Sequence, residues 1–377
     1  MSPSHPIHPR WFQLTRPTPD LDSLCSTLVY AYLRTHAVTP TTLHIPLSNL
    51  PRADLALRTE MTAVLQAADL DLKQLLTLSD LPDHLSPEHT RWFLVDHNSL
   101  TGQLARYKGQ VVGCIDHHED EGVVSKNVEP RVIEPCGSCM SLIVEETRTL
   151  WSDLVKMTKT AEDAEENRKL AMLGLAPILI DTINFTEKHK VKPKDISAAD
   201  FLEEKVQGFQ GYDRKMYFDR VAAVKEDISS LGFRDILRKD YKEWTEGNNL
   251  KLGVSSVVKG LNYLTEKKDD QTAQDGFLGA VAAWAEEREL DVVSVMTAAN
   301  NERDQFERNL LVWGRTDKGI EGLRKFADGS SEKLQLTTFG DGQLDDKDNR
   351  KAWLQGNLAA SRKQVAPLLR EALANVS

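Results

Sequence analysis

The apolar run Val111 to Ile115 ends in the tripeptide Asp116-His117-His118, which restricts how this part of the chain can fold. Neighbouring side chains of a strand, or of the turn after it, point to opposite sides. One histidine can therefore ligate a metal while the other faces a substrate. The carboxylate before them can accept the second ring N–H of a ligand histidine and orient it. Taken alone, the tripeptide is better explained by a loop cap and two surface histidines. A metal site is favoured only if other parts of the sequence supply further ligands.

Two other strand-like runs also lead into acidic clusters. Trp11 to Leu14 precedes Asp20-Leu21-Asp22, and Arg91 to Val95 precedes Asp96-His97-Asn98. Active sites of open α/β sheets lie at the carboxyl ends of their strands, so these clusters are expected to meet there. Two carboxylates one residue apart can converge on one cation. The pair Asp22-Ser23 is also typical of a helix N-cap, and that alternative stays open.

A fourth carboxylate, Asp181, interrupts the apolar helical segment Leu170 to Phe185. A buried carboxylate without a partner is costly, so it takes up a proton or binds a cation. Asp181 is therefore a candidate metal ligand, and the alternative is an aspartate at a helix end that reaches solvent. Further back, Ser138 and its neighbours precede a predicted helix, Met140 to Leu150, where backbone N–H groups can contact an anion.

In chain order, these four acidic clusters resemble the four motifs of the DHH phosphoesterase superfamily. Val112 to Gly122 and the following Cys136-Gly137-Ser138-Cys139 are similar to its eukaryotic exopolyphosphatase and prune branch. Arg238 to Trp244 and Ser361 to Gln364 resemble phosphate-binding segments of the C-terminal domain that exopolyphosphatases share with manganese-dependent inorganic pyrophosphatases. The resemblance covers nearly the whole chain. It implies a parallel-sheet DHH domain, a smaller C-terminal α/β domain and an active site in the cleft between them.

The resemblance also implies roles for individual residues. Two divalent cations are expected, Mg²⁺ or Mn²⁺ with Co²⁺ also possible, bridged by Asp96 and held by Asp20, Asp22, Asp96, His117 and Asp181. His118 would face the substrate and act with Asp96 in catalysis. The substrate would also be bound by Lys242, Arg362 and Lys363, since a guanidinium beside ammonium groups can grip phosphate oxygens. A supporting role falls to the neighbours of the ligands, Asp116, His97, Asn98 and Ser138.

Arg16 departs from the superfamily pattern. Relatives carry His, or Asn in the exopolyphosphatase and prune branch, four residues before the first motif aspartate, and this chain has Arg16 there. An arginine stays protonated and offers donors only, so it cannot ligate a metal. It could take the first metal's place electrostatically, or it could turn outward and leave that metal to carboxylates and water.

The fold class predicted for the whole chain is α/β with two domains. Residues 1–190 would form the DHH domain, 191–211 a connection and 212–377 the C-terminal domain. In the first domain, strands are predicted besides those above at Leu43 to Pro46 and Gln110 to Ile115, with helices at Leu24 to Leu33 and Ala53 to Ala68. In the second, the predicted strands are Leu250 to Val254, Val292 to Thr297, Leu310 to Trp313 and Leu334 to Thr338, and the last helix is Ser361 to Ala374.

Composition restricts the partners. The net charge of -10 argues against a protein that coats nucleic acid, since such proteins owe much of their affinity to a basic surface. Charged residues make up 28% of the chain and no apolar run approaches the length of a membrane span. Four cysteines do not form a disulfide framework, so a reducing compartment, the cytoplasm, is predicted. A monomer without a membrane or nucleic-acid partner is expected.

The leading functional hypothesis is a metal-dependent hydrolase that releases terminal orthophosphate from inorganic polyphosphate. Within the same enzyme class, the alternatives are a manganese-dependent inorganic pyrophosphatase and a prune-like short-chain polyphosphatase or nucleotide phosphodiesterase. From another class comes a catalytically impaired anion-binding or interaction protein in which Arg16 has disabled the first metal. The presence of all the other predicted ligands argues against this last alternative.

Overall fold

The protein forms two compact units that divide between Lys225 and Glu226. This computed structural model describes residues 10–16, 20–36, 42–206, 211–268 and 276–376. Within these ranges, no helix is both long enough and apolar enough to cross a lipid bilayer.

The first unit is built on a six-stranded sheet in which every pairing is parallel. The strand order is β3-β2-β1-β4-β5-β6. The strands are β1 (Arg10–Leu14), β2 (His44–Ser48), β3 (Leu76–Thr77), β4 (Thr90–Val95), β5 (Val111–Asp116) and β6 (Arg131–Ile133). Because every neighbouring pair is parallel, all six strands run in the same direction. Their carboxyl ends therefore lie along one edge of the sheet. We call this the carboxyl edge.

Helices cover one face of this sheet. They are α1 (Leu21–Thr35), α2 (Thr59–Ala67), α3 (Cys139–Met157), α4 (Ala161–Asp181), α5 (Pro193–Val206) and α6 (Arg214–Glu226). The side chains of β4 alternate, with Phe93 and Val95 buried under the helices and Trp92 and Leu94 buried on the opposite face. That opposite face is covered by loops and by the 3₁₀ segment Gly102–Gln110.

Gly113 allows two strands of this sheet to pack closely. A Cβ at this position of β5 would lie 2.3 Å from a ring carbon of Phe93 on β4, much closer than any side chain tolerates. The glycine in the motif therefore has a packing role next to the predicted site.

The helical part of the first unit differs from the prediction at several points. The predicted helix Ala53 to Ala68 is a 3₁₀ segment, Arg52–Leu57, followed by α2. The predicted segment Leu170 to Phe185 is the end of the longer helix α4, which stops at Asp181.

The structural division lies after α6, whereas the predicted second domain begins near Tyr212. Tyr217 and Val221 of α6 are buried in the core of the first unit, and the Tyr217 hydroxyl donates to the carbonyl of Met172 in α4 at 2.9 Å. Helix α5, within the predicted connection, is buried in the same core through Ala198, Ala199 and Leu202. These apolar contacts place both helices with the first unit.

The smaller second unit has a six-stranded mixed sheet of order β13-β14-β12-β9-β8-β7. Its strands are β7 (Tyr241–Thr245), β8 (Lys251–Val257), β9 (Val292–Thr297), β12 (Asn309–Gly314), β13 (Leu336–Thr338) and β14 (Arg350–Gln355), and β10 (Ala299–Asn300) and β11 (Phe306–Glu307) form a separate ribbon. The β8–β9 pair is parallel, and the other pairs are antiparallel. Prediction missed β7 and β14, since both have basic residues among few apolar ones.

Helices pack on both faces of the second sheet, so this unit has two apolar layers. One face carries α7 (Phe233–Lys239), α8 (Leu261–Glu266) and α9 (Gly276–Glu287). The other carries α10 (Asp317–Leu334) and α11 (Arg362–Ala374). The two-unit α/β class predicted from the sequence is confirmed.

Candidate metal centre

Three segments of the first unit bring acidic and imidazole side chains to the carboxyl edge. Asp20 and Asp22 follow β1, Asp96 directly follows β4, and β5 ends at Asp116, before His117 and His118. In the described part of the chain, one group of three potential ligands has its ligand atoms within 4.8 Å of one another: Asp96, His117 and His118. Asp20, Asp22 and Asp181 lie outside that grouping.

Asp96 is the most unusual carboxylate of the site. It is 1% exposed and has a left-handed backbone with φ of 65°. Neither of its side-chain oxygens accepts a hydrogen bond from any residue described. Burial raises the pKa of Asp96 to about 7, although the neighbouring His117 opposes this shift. A buried carboxylate with two unpartnered oxygens fits a metal ligand, because a cation would offset the cost of burying the charge.

His117 is oriented as a metal ligand. Its Nδ1 lies 3.0 Å from the carbonyl oxygen of Cys136, so the proton on Nδ1 can be donated there. Its Nε2 then faces Asp96 Oδ1 at 3.2 Å and Asp22 Oδ2 at 3.9 Å. Burial lowers the pKa of His117, but the two carboxylates outweigh burial and raise it to about 10. A backbone carbonyl that fixes the tautomer in this way is common behind a metal-bound imidazole.

His118 is held by Asp116. Its Nδ1 lies 2.7 Å from Asp116 Oδ1, and its backbone N–H donates to the same oxygen at 3.1 Å. The other Asp116 oxygen accepts from Asn98 Nδ2 at 2.6 Å. Burial works to raise the pKa of Asp116, but the hydrogen bonds from His118 and Asn98 hold it below its usual value. The His118 side chain is 43% exposed, so its Nε2 side can reach a ligand from solvent.

Asp22 serves as an internal anion for helix α3. Its Oδ1 accepts hydrogen bonds from Ser26 Oγ, Ser138 Oγ and the Met140 N–H, and its Oδ2 accepts from the Cys139 N–H at 2.6 Å. The start of α3 thus binds a carboxylate of the same chain, and a contact between Ser138 and a substrate anion stays a prediction. The local N-cap of α1 is Asp20, which accepts from the Ser23 N–H, and not Asp22. Because a carboxylate oxygen can accept more than one bond, Oδ2 can still face a cation near His117.

Asp181 is the last residue of helix α4, and one of its carboxylate oxygens has no hydrogen-bond partner among the described residues. Its Oδ2 is buried and accepts no hydrogen bond within the described ranges. Burial raises the pKa of Asp181 well above its ordinary value, and the charges of Asp22 and Asp20 raise it further. Like Asp96, Asp181 therefore fits a ligand whose charge a cation would balance.

The Arg16 side chain lies between two of the predicted ligands. Its Nη1 is 3.4 Å from Asp20 Oδ2 and 3.8 Å from Asp96 Oδ2. The side chain is 31% exposed and is directed at these carboxylates. Arg16 therefore does not turn outward, which excludes the second alternative; that it takes the first metal's place stays a prediction.

His97 is separate from the ligand group. It is buried, its Nδ1 lies 3.1 Å from the Val95 carbonyl, and its Nε2 has no partner in the portion of the chain described. Burial lowers the pKa of His97 to about 4. Asn98, in contrast, ties Asp116 to the loop after it, because it also donates to the Glu119 carbonyl and accepts from the Glu121 N–H.

Sequence reasoning missed Asp195, which fixes the turn before α3. This buried carboxylate accepts from a set of groups around that turn, namely Cys136 Sγ, Gly137 N–H, Ser138 N–H, Ser141 Oγ and Lys192 N–H. A Cβ on Gly137 would lie 2.6 Å from Asp195 Oδ2, so the turn needs glycine there. The available signal was Pro193 with an acid two residues later, which is typical of a helix start but does not indicate a distant contact.

The predicted substrate-binding residues lie in the second unit. Lys242 is an exposed residue of β7. Arg362 begins α11 and donates to the carbonyl and carboxylate of Asp240, at 2.9 and 2.6 Å. Lys363 follows it on the exposed side of the helix. Arg362 and the start of β7 are thus brought together, and a phosphate-binding role for the three residues stays a prediction.

Comparison with known proteins identifies the family. Two family models match, the DHH family N-terminal domain over residues 15–177 and the DHHA2 domain over residues 219–372. A Schizosaccharomyces pombe protein named "Putative exopolyphosphatase" is 32% identical over 95% of this chain and 89% of its own length. Human "Exopolyphosphatase PRUNE1" is 25% identical over 94% of this chain and 73% of its own length.

A solved structure shares the fold. It is described as a Methanococcus jannaschii "putative family II inorganic pyrophosphatase" and aligns with a TM-score of 0.52 and 20% identity, covering 97% of this chain and 99% of that one. The two family models and the yeast relative, together with this two-unit architecture, place the chain in the class of two-domain α/β phosphoesterases. The chain belongs to the DHH phosphoesterase superfamily, in its exopolyphosphatase and prune branch.

Proposed function

We propose that this protein is a divalent-metal-dependent exopolyphosphatase that hydrolyses terminal phosphoanhydride bonds of inorganic polyphosphate and releases orthophosphate. Its curated relatives from fission yeast and human carry the name exopolyphosphatase and match it over most of its length. The structural observation that carries the proposal is Asp96, a buried carboxylate at the carboxyl edge whose Oδ1 lies 3.2 Å from His117 Nε2 and 3.6 Å from His118 Nδ1.

The residues that fit a cation best are Asp22, Asp96, His117 and Asp181. When bound, a divalent cation supplies positive charge for the phosphoryl oxygens and lowers the pKa of water. Mg²⁺ and Mn²⁺ are the candidates, with Co²⁺ as a third, since the set mixes carboxylates with an imidazole. Asp96 is proposed as the ligand on which the site is centred.

His118 is proposed to contact the phosphoryl group. With its Nδ1 proton held by Asp116, the ring keeps one orientation and presents Nε2 to the substrate. A protonated Nε2 would donate to a phosphoryl oxygen or to the leaving group. Lys242, Arg362 and Lys363 are proposed to bind further phosphate groups of the polyphosphate substrate. Each phosphate group is an anion, which a guanidinium binds with two donors and an ammonium binds as a compact charge.

The test is orthophosphate release by the purified protein with Mg²⁺, Mn²⁺ or Co²⁺. Long-chain polyphosphate, tripolyphosphate and pyrophosphate are compared side by side. Preference for long chains supports the proposal, preference for pyrophosphate would make the protein a pyrophosphatase, and no release with any metal would make it a binding protein.

Asp96→Ala supplies the matched inactive enzyme. We expect hydrolysis to fall by at least about 100-fold, a loss that removal of an outer partner of a metal ligand can already cause. The control is Asp83→Ala, which removes an exposed aspartate of a loop. Far-ultraviolet circular dichroism of both variants checks that the fold is kept, and retained activity in Asp96→Ala would refute its role.

The cytoplasmic location, the monomeric state and the absence of a nucleic-acid partner stay predictions. The domain division also stays a prediction. The matched family models end and begin at residues 177 and 219, whereas the compact units divide between residues 225 and 226.

A further inference from the structure

Arg16 holds a defined position at the carboxyl edge. It lies two residues beyond the end of β1, and its backbone N–H donates to Ser23 Oγ in α1 at 2.9 Å. This bond fixes the backbone from which the guanidinium extends. The side chain cannot be treated as a surface arginine, because Nη1 is directed at two acidic side chains of the site.

The two oxygens of Asp96 face different nitrogen groups. Oδ1 lies 3.2 Å from His117 Nε2, and Oδ2 lies 3.8 Å from Arg16 Nη1. Asp20 is on the Arg16 side, with its Oδ2 3.4 Å from the same Nη1. Asp96 thus separates an imidazole half of the site from a guanidinium half.

The guanidinium half does not fit a metal ion. An ion bound by Asp20 and Asp96 would have to lie between the oxygens that already face Nη1. Such an ion sits about 2.0–2.2 Å from its oxygen ligands. A guanidinium carries a positive charge, so two positive groups would be forced close together in a partly buried place. It also lacks a lone pair, so it cannot contribute the ligand that His or Asn would supply.

The imidazole half does fit a metal ion. Asp96 and Asp181 have buried oxygens without hydrogen-bond partners in the described structure, and His117 turns its Nδ1 to the Cys136 carbonyl, which leaves Nε2 for a metal. Positive charge therefore reaches the carboxylates from two sides. The guanidinium supplies it on one side of Asp96, and an exchangeable metal ion would supply it on the other.

We propose that the Arg16 guanidinium permanently replaces the first cation between Asp20 and Asp96, so that each chain binds a single divalent ion, at Asp22, Asp96, His117 and Asp181. This deepens the proposed function and rests on it for the identity of the metal site. The site then differs from a two-metal phosphoesterase in the number of ions and not in the number of positive groups.

The test counts ions and does not depend on activity. Metal-free full-length protein is equilibrated with excess Mn²⁺, separated from unbound ion and analysed for manganese per chain. We expect one ion in the wild type and two in Arg16→His, where an imidazole replaces the guanidinium. Electron paramagnetic resonance gives a second readout, because two Mn²⁺ ions bridged by a carboxylate, about 3.5–4 Å apart, couple magnetically whereas a lone ion does not.

Three variants make the count specific. Arg16→Asn repeats the test with a shorter ligand and is expected to bind two ions. Arg16→His combined with Asp20→Asn should return to one ion, because the restored first site loses its carboxylate. Arg10→Asn, at the exposed start of the same strand, should stay at one. Thermal melting monitored by circular dichroism confirms that each variant is folded.

The inference is overturned if the wild type binds two ions or none, or if both Arg16 variants bind only one. These outcomes are independent of hydrolysis. A wild type that binds one ion but releases no orthophosphate would contradict the proposed function and leave the count intact, whereas an active enzyme with two ions would do the reverse.

Discussion

Asp116 and His118 act as one unit at the level of single residues. Asp116 is fully buried, and its two oxygens are used by His118 and Asn98. Such a carboxylate sets the orientation and tautomer of the imidazole without touching a substrate itself. Asp116 is therefore a positioning residue.

We expect Asp116→Asn to lower kcat on polyphosphate by about 10- to 100-fold, the usual cost of losing a partner behind a functional imidazole. Manganese affinity, measured by calorimetry, should change little, because the His117 tautomer depends on the Cys136 carbonyl. The effects of substituting two residues that act together do not add. The double variant Asp116→Asn/His118→Gln should be no slower than His118→Gln alone, and additive losses would contradict the pairing.

At the scale of the element, α3 begins on a carboxylate from another helix. Asp22 lies more than a hundred positions before the Cys139 and Met140 N–H groups that it accepts from. Asp181, at the end of α4, has the opposite character, since it brings an unsatisfied oxygen into the same region. The two predicted ligands therefore make opposite contributions to folding.

A matched pair of substitutions separates these contributions. With a chelator present, Asp22→Asn should lower the free energy of unfolding by at least about 1–3 kcal/mol, the cost of one buried donor left unpaired. Asp181→Asn should leave it unchanged or raise it, because it removes a buried carboxylate. Urea unfolding of both variants gives the comparison, and equal losses would contradict it.

His44 of β2 makes the parallel sheet sensitive to acid. It is buried, with its Nδ1 2.6 Å from Gln13 Nε2 on β1, and burial lowers its pKa to about 4. The unfolded chain, with a histidine pKa near 6.5, takes up the proton first as the pH falls. Stability is therefore present above pH ~6.5 and is lost as the pH falls towards 4.

Between pH 7 and pH 5 we expect this one histidine to cost about 2 kcal/mol of unfolding free energy. His44→Gln should remove that part of the decline, whatever it does to stability at pH 7. His84→Gln, which replaces an exposed histidine, should keep the wild-type slope. Urea unfolding at the two pH values decides, and identical slopes in all three proteins would exclude His44 as the cause.

The strands and the acids after them could be predicted, because an apolar run followed by a carboxylate is a local pattern with a known place in a parallel sheet. The partners of those acids could not. That Asp22 serves α3, that Asp195 holds the turn at Gly137, and that Arg16 lies between two carboxylates all depend on contacts between distant segments. Strands β7 and β14 escaped because their basic residues interrupt the apolar pattern, and β7 has no fully buried residue.

At the scale of the whole molecule, each unit has its own sheet and its own apolar core. The first core includes α6, whose Tyr217 and Val221 are buried. A first unit cut before α6 would expose the surface that these side chains cover.

We expect a fragment of residues 1–225 to be more stable than one of residues 1–211. Each fully buried side chain of this size contributes about 1.5–3 kcal/mol, so the difference should reach several kcal/mol. A fragment of residues 226–377 should unfold cooperatively alone. Thermal unfolding of the three fragments tests this, and equal stability of the first two would return the boundary to residue 211.

Asp22 binds the start of α3 and is also proposed as a metal ligand, which has a consequence for how this lineage can change. A descendant that no longer needed its metal could discard Asp181 at no cost to folding, but it could not discard Asp22 without losing the start of α3. Mutation and drift would thus remove Asp181 before Asp22. Asp22 would be among the last motif residues to disappear, and its survival in a distant relative would record the history of the fold and not the persistence of catalysis.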